Sequence, residues 1–186
     1  MKKTQSLEEI KQSFQKGNLC ILPTDTILGL FADANNHDAI LKIFQAKKRE
    51  YAKPLAIFVH SISAIQQYGI ETAQSKTFTQ KNLPGEYTIL LHATNFAKTH
   101  LSHLLISQDG KIGIRIPKQN DILKLTKEIM ICGTSVNITG QEFAKDTIPQ
   151  EIANNVEFIL QSKATGLSQN PSTIIDFTTQ EPIIIR

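Results

Sequence analysis

No apolar run in the 186 residues approaches the roughly 18 that a membrane span needs. The basic start Met1-Lys2-Lys3 is followed by Gln5, Glu8 and Glu9, where a signal peptide would place its apolar core. A cytoplasmic chain with no membrane partner is therefore expected. There is no glycine-rich loop ending in Lys-Ser or Lys-Thr, no Gly-x-Ser-x-Gly elbow and no Cys-x-x-Cys. These absences argue against a P-loop, an elbow-type hydrolase and a dithiol redox protein. His100 and His103 lie three apart with no nearby cysteine or third histidine, so no metal site is expected. Cys20 and Cys132, the only cysteines, both sit in apolar runs and read as reduced, buried thiols.

What is present suits one globular domain over residues 1–186, with 40% apolar and 20% charged residues. Chains of this size bury roughly 70% of their unfolded surface and need no disulfide or metal to hold a core. The net charge of +3 is compatible with nucleotide or RNA partners and requires neither.

Leu7, Ile10 and Phe14 recur at helical spacing behind Ser6, with Ser6 and Glu9 as a capping box and Gly17 as a stop. Residues 19–22 read as a strand ended by Pro23. Asn36 caps a second helix carrying Ile40, Leu41 and Phe44, which runs into Lys47-Lys48-Arg49. A strand over 54–59, a short helix around 64–68, a turn at Pro84-Gly85 and a strand over 87–91 follow. Ile112, Ile114 and Ile116 alternate with Gly113 and Arg115, the period of a strand with one face on the core, so Arg115 projects from the other face. Asn120 or Asp121 caps a helix through Ile129. Then come a strand over 130–133, a polar loop over 134–141, a short helix near Gln150 and strands over 156–160, 173–177 and 182–185. Interleaved strands and helices predict an α/β fold with a twisted mixed sheet and flanking helices.

Three polar segments fall between these elements: "PTDT" at 23–26, "KKREYAKPL" at 47–55 and "TSVNITG" at 134–140. Loops at strand ends are where open α/β sheets bind ligands. Each segment alone also has an ordinary structural reading. A cationic helix end complements the helix dipole by roughly 0.3 to 1 kcal/mol. Asp25 or Thr26 can bond local backbone in a turn, and "TSVNITG" can be a hydroxyl-rich turn capping a helix.

Six blocks in order carry a resemblance over almost the whole chain: "ILPTDTILGL" (21–30), "KKREYAKPL" (47–55), "LPGEYTILL" (83–91), "KIGIRIP" (111–117), "CGTSVNITG" (132–140) and "NPSTIID" (170–176). They resemble the patterns of the YrdC-like family of threonylcarbamoyl-AMP synthases. The resemblance implies a sheet with a concave, positively charged face. It also implies a nucleotidyltransferase reaction in which L-threonine, bicarbonate and ATP give threonylcarbamoyl-AMP and pyrophosphate. Mg²⁺ would be held mainly by phosphates, and the product would go to a transferase complex acting on tRNA. By the same resemblance, Thr26, Arg115, Ser135, Ser172 and Thr173 hold threonine, and Lys47, Arg49, Lys53, Asn137 and Arg186 hold ATP. Lys47, Arg49 and Arg115 are then the catalytic cations, with Arg115 gripping the threonine carboxylate in a bidentate manner.

The chain departs from the family patterns at Glu50, Glu86 and Val136, and at Leu22 and Leu28 where tyrosine is usual. None of these removes a charged or hydrogen-bonding ligand. Two other readings are a module binding structured RNA directly without turnover, and a carbamoyl-transfer enzyme like the homologous domain of hydrogenase maturation factors. Longer family members carry a second domain, and this chain resembles the short bacterial type.

Overall fold

A computed structural model of the chain describes residues 1–139, 147–162 and 170–186. The end of the polar loop expected over 134–141, including Gly140, lies outside the described residues. The chain begins with β1 (Lys2–Thr4), α1 (Leu7–Gln15), β2 (Leu19–Pro23), β3 (Leu28–Asp33), α2 (His37–Lys47), β4 (Ala56–Phe58), α3 (Ile62–Tyr68), β5 (Gly69–Ile70) and α4 (Ala73–Asn82). It continues through β6 (Tyr87–Ala93), α5 (Asn95–His100), a 3-10 turn (His103–Leu105), β7 (Lys111–Arg115), α6 (Asn120–Leu125), β8 (Ile131–Ser135), α7 (Gln150–Ala153), β9 (Val156–Leu160), β10 (Thr173–Asp176) and β11 (Ile183–Ile184). Among the described residues no helix is long and apolar enough to cross a membrane.

Local chemistry explains most boundaries. The Ser6 hydroxyl accepts the Glu9 backbone N–H and caps α1. Only this half of the expected capping box forms, because the Glu9 carboxylate accepts the Thr4 hydroxyl instead. Gly17 ends the segment in the left-handed region at φ 74°. Asn36 caps α2 on the Ala39 N–H, as its sequence indicates. The cap of α6 is Gln119, whose side chain accepts the Ile122 N–H, one position before the candidates read from sequence.

The strands form one mixed sheet in the order β1-β9-β2-β3-β8-β4-β7-β6-β10-β11, with β5 pairing β6 off this path. Pairs β1/β9, β9/β2, β4/β7 and β6/β10 are parallel and the others antiparallel. Period-two alternation then divides the side chains. Leu30, Ile57, Ile112, Ile114 and Cys132 point to one face, where they pack with Ile40, Phe44 and Ile65 of α2 and α3. Fully burying each such aliphatic side chain stabilises the fold by about 1.5–3 kcal/mol. On the opposite face Cys20, Leu22, Phe31, Phe58 and Ile131 pack under Ile10 and Phe14 of α1 and Ile122 and Leu125 of α6. Those two helices cover only part of that face, and the remainder is the floor of a cavity.

Cys20 and Cys132 lie on opposite faces of the sheet and both are free and buried, as expected. Burial pushes the Cys20 thiol up to about 11 and raises that of Cys132 as well. Neither thiol should therefore react with iodoacetamide at pH 8 in the native protein, while both should be labelled in guanidinium, as intact-mass measurement would show. A native label would contradict this packing.

Candidate active site

The uncovered part of the sheet face forms a cavity of about 720 Å³. Its floor is built by register: Phe31 of β3 pairs Gly133 of β8, which pairs Ala56 of β4, which pairs Gly113 of β7, which pairs Leu90 of β6. Three small residues in a row leave a trough between Phe31 and Leu90. The two glycines beside Phe31 are dictated by its ring, since a Cβ at Gly29 or Gly133 would lie 2.4 or 2.5 Å from it. Phe31 in turn meets Phe58 edge to face, with ring centroids 4.8 Å apart.

Arg115 stands at one end of this floor, on the face opposite Ile112 and Ile114, as alternation requires. It is only 5% exposed. Its NH2 nitrogen donates to Asp25 Oδ1 at 2.6 Å and to Thr26 Oγ1 at 3.0 Å, and its guanidinium lies 5.9 Å from the Phe58 ring centroid. Its Nε–H is buried without a partner. Burial lowers the Arg115 pKa, and the neighbouring Asp25 charge opposes that shift. In this state the bidentate grip expected from sequence would have to displace one of these partners, Asp25 or Thr26. Both forks of a guanidinium share one terminal nitrogen, and that nitrogen already serves Asp25 and Thr26. Of the guanidinium donors, the Nε–H is the one buried without an acceptor.

The hydroxyls beside it have fixed polarity. Thr24 Oγ1 donates to the Ile27 carbonyl at 2.7 Å, so Thr26 must donate to Thr24 across their 2.9 Å contact. Thr26 can therefore only accept from a ligand. Thr88, paired with Arg115 across β6 and β7, shares a hydrogen bond of 3.0 Å with Ser172, and both line the cavity. Thr173, expected to join Ser172, does not line it. On β10 its side chain alternates with those of Ser172 and Ile174, which do.

Toward the other end, Lys47 follows Ile40, Ile43 and Phe44 on the buried face of α2 and is 1% exposed. Its ammonium donates to the carbonyls of Ser135 and Asn137, both at 2.5 Å, and to Asn137 Oδ1 at 3.3 Å. All three N–H groups are thus engaged by the loop after β8. Lys47 acts as a clamp and a nearby charge, and in this state no N–H remains for direct contact with a phosphate. Burial, then Arg49 and Arg186, push its pKa down to about 7. The loop is tightened further by Ser135 Oγ donating to Asn137 Oδ1 at 2.5 Å.

Arg49 donates to the carbonyls of Lys53 and Pro54 at 2.6 and 3.0 Å, which folds the cationic segment over the cavity edge. Lys53 also lines the cavity and pairs with Glu50 at 3.1 Å, so this departure from the family pattern offsets one proposed ATP contact. Arg186 reaches the Ser172 carbonyl at 3.2 Å. Burial lowers the pKa of Arg49 and Arg186, and Arg186 depresses both Lys47 and Arg49. The cations therefore repel one another around one cavity, an arrangement suited to a polyanion.

Sequence reasoning missed the role of Asp25. It was expected to bond local backbone, and it reaches Arg115 and the Lys118 N–H instead. Nothing in a Thr-Asp-Thr turn signals a partner 90 residues away. Phe31 was missed with β3, and Gly133, at the end of the strand read over 130–133, was not recognised as part of a cavity floor, although glycine within an apolar run is a sign of close approach. Among the described residues no cluster of three or more metal-ligating side chains occurs.

This is a mixed α/β fold whose half-covered sheet face carries a cationic ligand cavity. The family model Sua5/YciO/YrdC, described as "Telomere recombination", matches residues 12–186, and the chain belongs to that family. A Methanocaldococcus jannaschii protein named provisionally as a threonylcarbamoyl-AMP synthase is 34% identical over 182 residues, covering 97% of this chain and 84% of its own. The Escherichia coli protein YciO, named as uncharacterized, is 26% identical over 177 residues, covering 92% of this chain and 84% of its own. The crystal structure of Pyrococcus abyssi Sua5 complexed with L-threonine matches with a TM-score of 0.82 at 24% identity, covering all of this chain and 56% of that one. The chain thus spans little more than half of that protein, and the likeness establishes the fold. Because relatives in the family carry both a synthase name and none, the activity must be argued from the site.

Proposed function

We propose that residues 1–186 act as one catalytic domain, a threonylcarbamoyl-AMP synthase using L-threonine, bicarbonate and ATP. The observation that carries this is one cavity that holds both a buried guanidinium at one end, its Nε–H unpartnered, and mutually repelling cations toward the other. The first suits an amino-acid carboxylate and the second a triphosphate. The names of relatives support the same reading.

In this reaction threonine's amine adds to the bicarbonate carbon with loss of water, giving a carbamate. A carbamate oxygen then attacks the α-phosphorus, the bond to the β-phosphate oxygen breaks, and pyrophosphate leaves. ATP, bicarbonate and the carbamate are anionic and threonine brings a carboxylate, so fixed cations and placement are what the protein must supply. Arg115 holds the carboxylate, while the acceptor oxygen of Thr26 faces the substrate's amine or hydroxyl hydrogens. Arg49, Lys53 and Arg186 offset the triphosphate charge. The loop held by Lys47 presents Ser135 and Asn137. Asp109, the one carboxylate lining the cavity among the described residues, is paired with Lys111 at 3.0 Å. This donor set fits magnesium arriving with ATP and held mainly by phosphate oxygens and water.

The product would pass to a transferase complex acting on tRNA. Cations lining a cavity favour a small polyanion over an RNA backbone, which needs an exposed basic surface. The test is pyrophosphate release from purified protein with ATP, Mg²⁺, threonine and bicarbonate, omitting each in turn. Release that requires both threonine and bicarbonate supports the proposal. Release that requires neither, or none at all from folded protein, overturns it.

Lys47 gives an independent check. Its pKa, pushed down to about 7, lies near the assay pH, so at about pH 7.5 only part of the population carries the three-donor ammonium; a bound polyanion favours that charged form, so ATP binding should take up a proton. Calorimetry in buffers of different ionisation enthalpy should show that uptake, and Lys47→Met should abolish it. ATP affinity should fall as pH rises from 6 to 8.5. In the free protein the sign is opposite. The unfolded chain keeps this proton up to about 10.5, so stability contributed by this group rises as pH increases above about 7.

A further inference from the structure

We infer that Asp25 is a positioning residue that sets the pose of Arg115 and closes residues 24–27 over the cavity, an inference that rests on the proposed threonine site. Its carboxylate is 8% exposed and both oxygens are committed: Oδ1 accepts from Arg115 NH2 at 2.6 Å, and Oδ2 accepts the Lys118 backbone N–H at 2.9 Å. One side chain therefore ties the turn between β2 and β3 to the last residue of β7 and to the segment beyond it.

The consequence for Arg115 follows from guanidinium geometry. With Asp25 and Thr26 each taking one hydrogen of NH2, and with Phe58 beside the guanidinium, the group has one remaining pose. That pose leaves the buried Nε–H as the donor with no protein acceptor, the one assigned to the substrate carboxylate. Thr26 cannot hold the group alone. It is a neutral acceptor, and its own proton is committed through Thr24 to the Ile27 carbonyl. Without the Asp25 charge, NH2 becomes available to other acceptors, and the fixed donor seen by the substrate is lost.

Asp25→Asn tests this, because asparagine keeps the size and one acceptor oxygen but cannot accept from both the guanidinium and the Lys118 N–H. The threonine KM for pyrophosphate release should rise by on the order of tenfold. The rate at saturating threonine should stay within about threefold, and the ATP Kd from calorimetry should be unchanged, since the loss is confined to an interaction made equally in ground and transition states. A general packing defect would not split these quantities. The side-chain Nε–H resonance of Arg115, assigned by its loss in Arg115→Lys, should exchange slowly with solvent in the wild type and fast in Asp25→Asn.

An unchanged threonine KM together with an unchanged Nε–H exchange rate overturns the inference. Faster Nε–H exchange in the variant, with no threonine dependence even in the wild type, upholds the positioning role and removes the proposed function instead. If Asp25→Asn is unfolded by circular dichroism, Asp25→Glu takes its place, since it keeps the charge and moves it by one methylene. A wild-type threonine KM in Asp25→Glu overturns the inference, and a raised KM with unchanged ATP affinity upholds it.

Discussion

Arg115→Lys is expected to raise the threonine KM by about 100-fold while leaving ATP affinity within about twofold. A buried hydrogen bond to a charged group is worth about 1.5–3 kcal/mol, which corresponds to roughly 10- to 150-fold. Lysine keeps the charge but concentrates it on one nitrogen, and Asp25 at 8% exposure will claim it. The donor that Nε–H offers to the substrate then has no replacement. Lysine is a cleaner probe than alanine here. Arg115→Ala would also leave a buried carboxylate without its cation, a defect that typically costs about 3–5 kcal/mol in stability and would mix folding with binding. Initial rates of pyrophosphate release against threonine, with ATP saturating, give the answer. A wild-type threonine KM in the lysine variant would place the carboxylate seat elsewhere.

The strands and helices that were legible in the sequence are those with strong periodicity or a clear cap. Ile112, Ile114 and Ile116 gave both a strand and the face on which Arg115 stands, and Asn36 gave the start of α2. The elements that escaped notice have physical reasons for doing so. β3 is a six-residue strand whose apolar run is interrupted by Gly29 and Ala32, both weak strand formers. α4 is polar over most of its length and is held by a capping box at Thr72 and Ser75. β1 is a three-residue edge strand whose first two side chains are exposed.

For the site, the residue types were readable and their engagements were not. Lys47 continues the spacing of Ile40 and Phe44, so its burial could have been read from α2 itself. Its three acceptors on the loop after β8 could not. The Asp25–Arg115 pair and the alternation that turns Thr173 away from Ser172 likewise depend on how β10, β7 and the turn before β3 meet.

The cation cluster leads to the second large effect, in which stability and binding move in opposite directions. Replacing Arg49 and Arg186 together with methionine should weaken ATP binding by about 100-fold, at roughly 1.4 kcal/mol for each tenfold step. The dependence of ATP affinity on salt should become shallower, because fewer fixed charges remain to be screened. In the absence of ATP, Arg186→Met alone should raise the melting temperature by about 1–3 °C. Arg186 depresses Lys47 and Arg49, so its removal relieves repulsion, and its exposure keeps that gain small. Arg49→Met alone should not share the gain, since its hydrogen bonds to the Lys53 and Pro54 carbonyls, at 2.6 and 3.0 Å, are shorter than those of Arg186 to the Ser172 carbonyl at 3.2 and 3.3 Å, and their loss offsets the relief. Thermal unfolding and ATP calorimetry on the two single variants and the double separate these contributions. If Arg186→Met lowers both the melting temperature and ATP affinity, Arg186 is a structural tether to Ser172. If it raises the first and lowers the second, the cluster holds its charges in mutual opposition for the sake of the triphosphate.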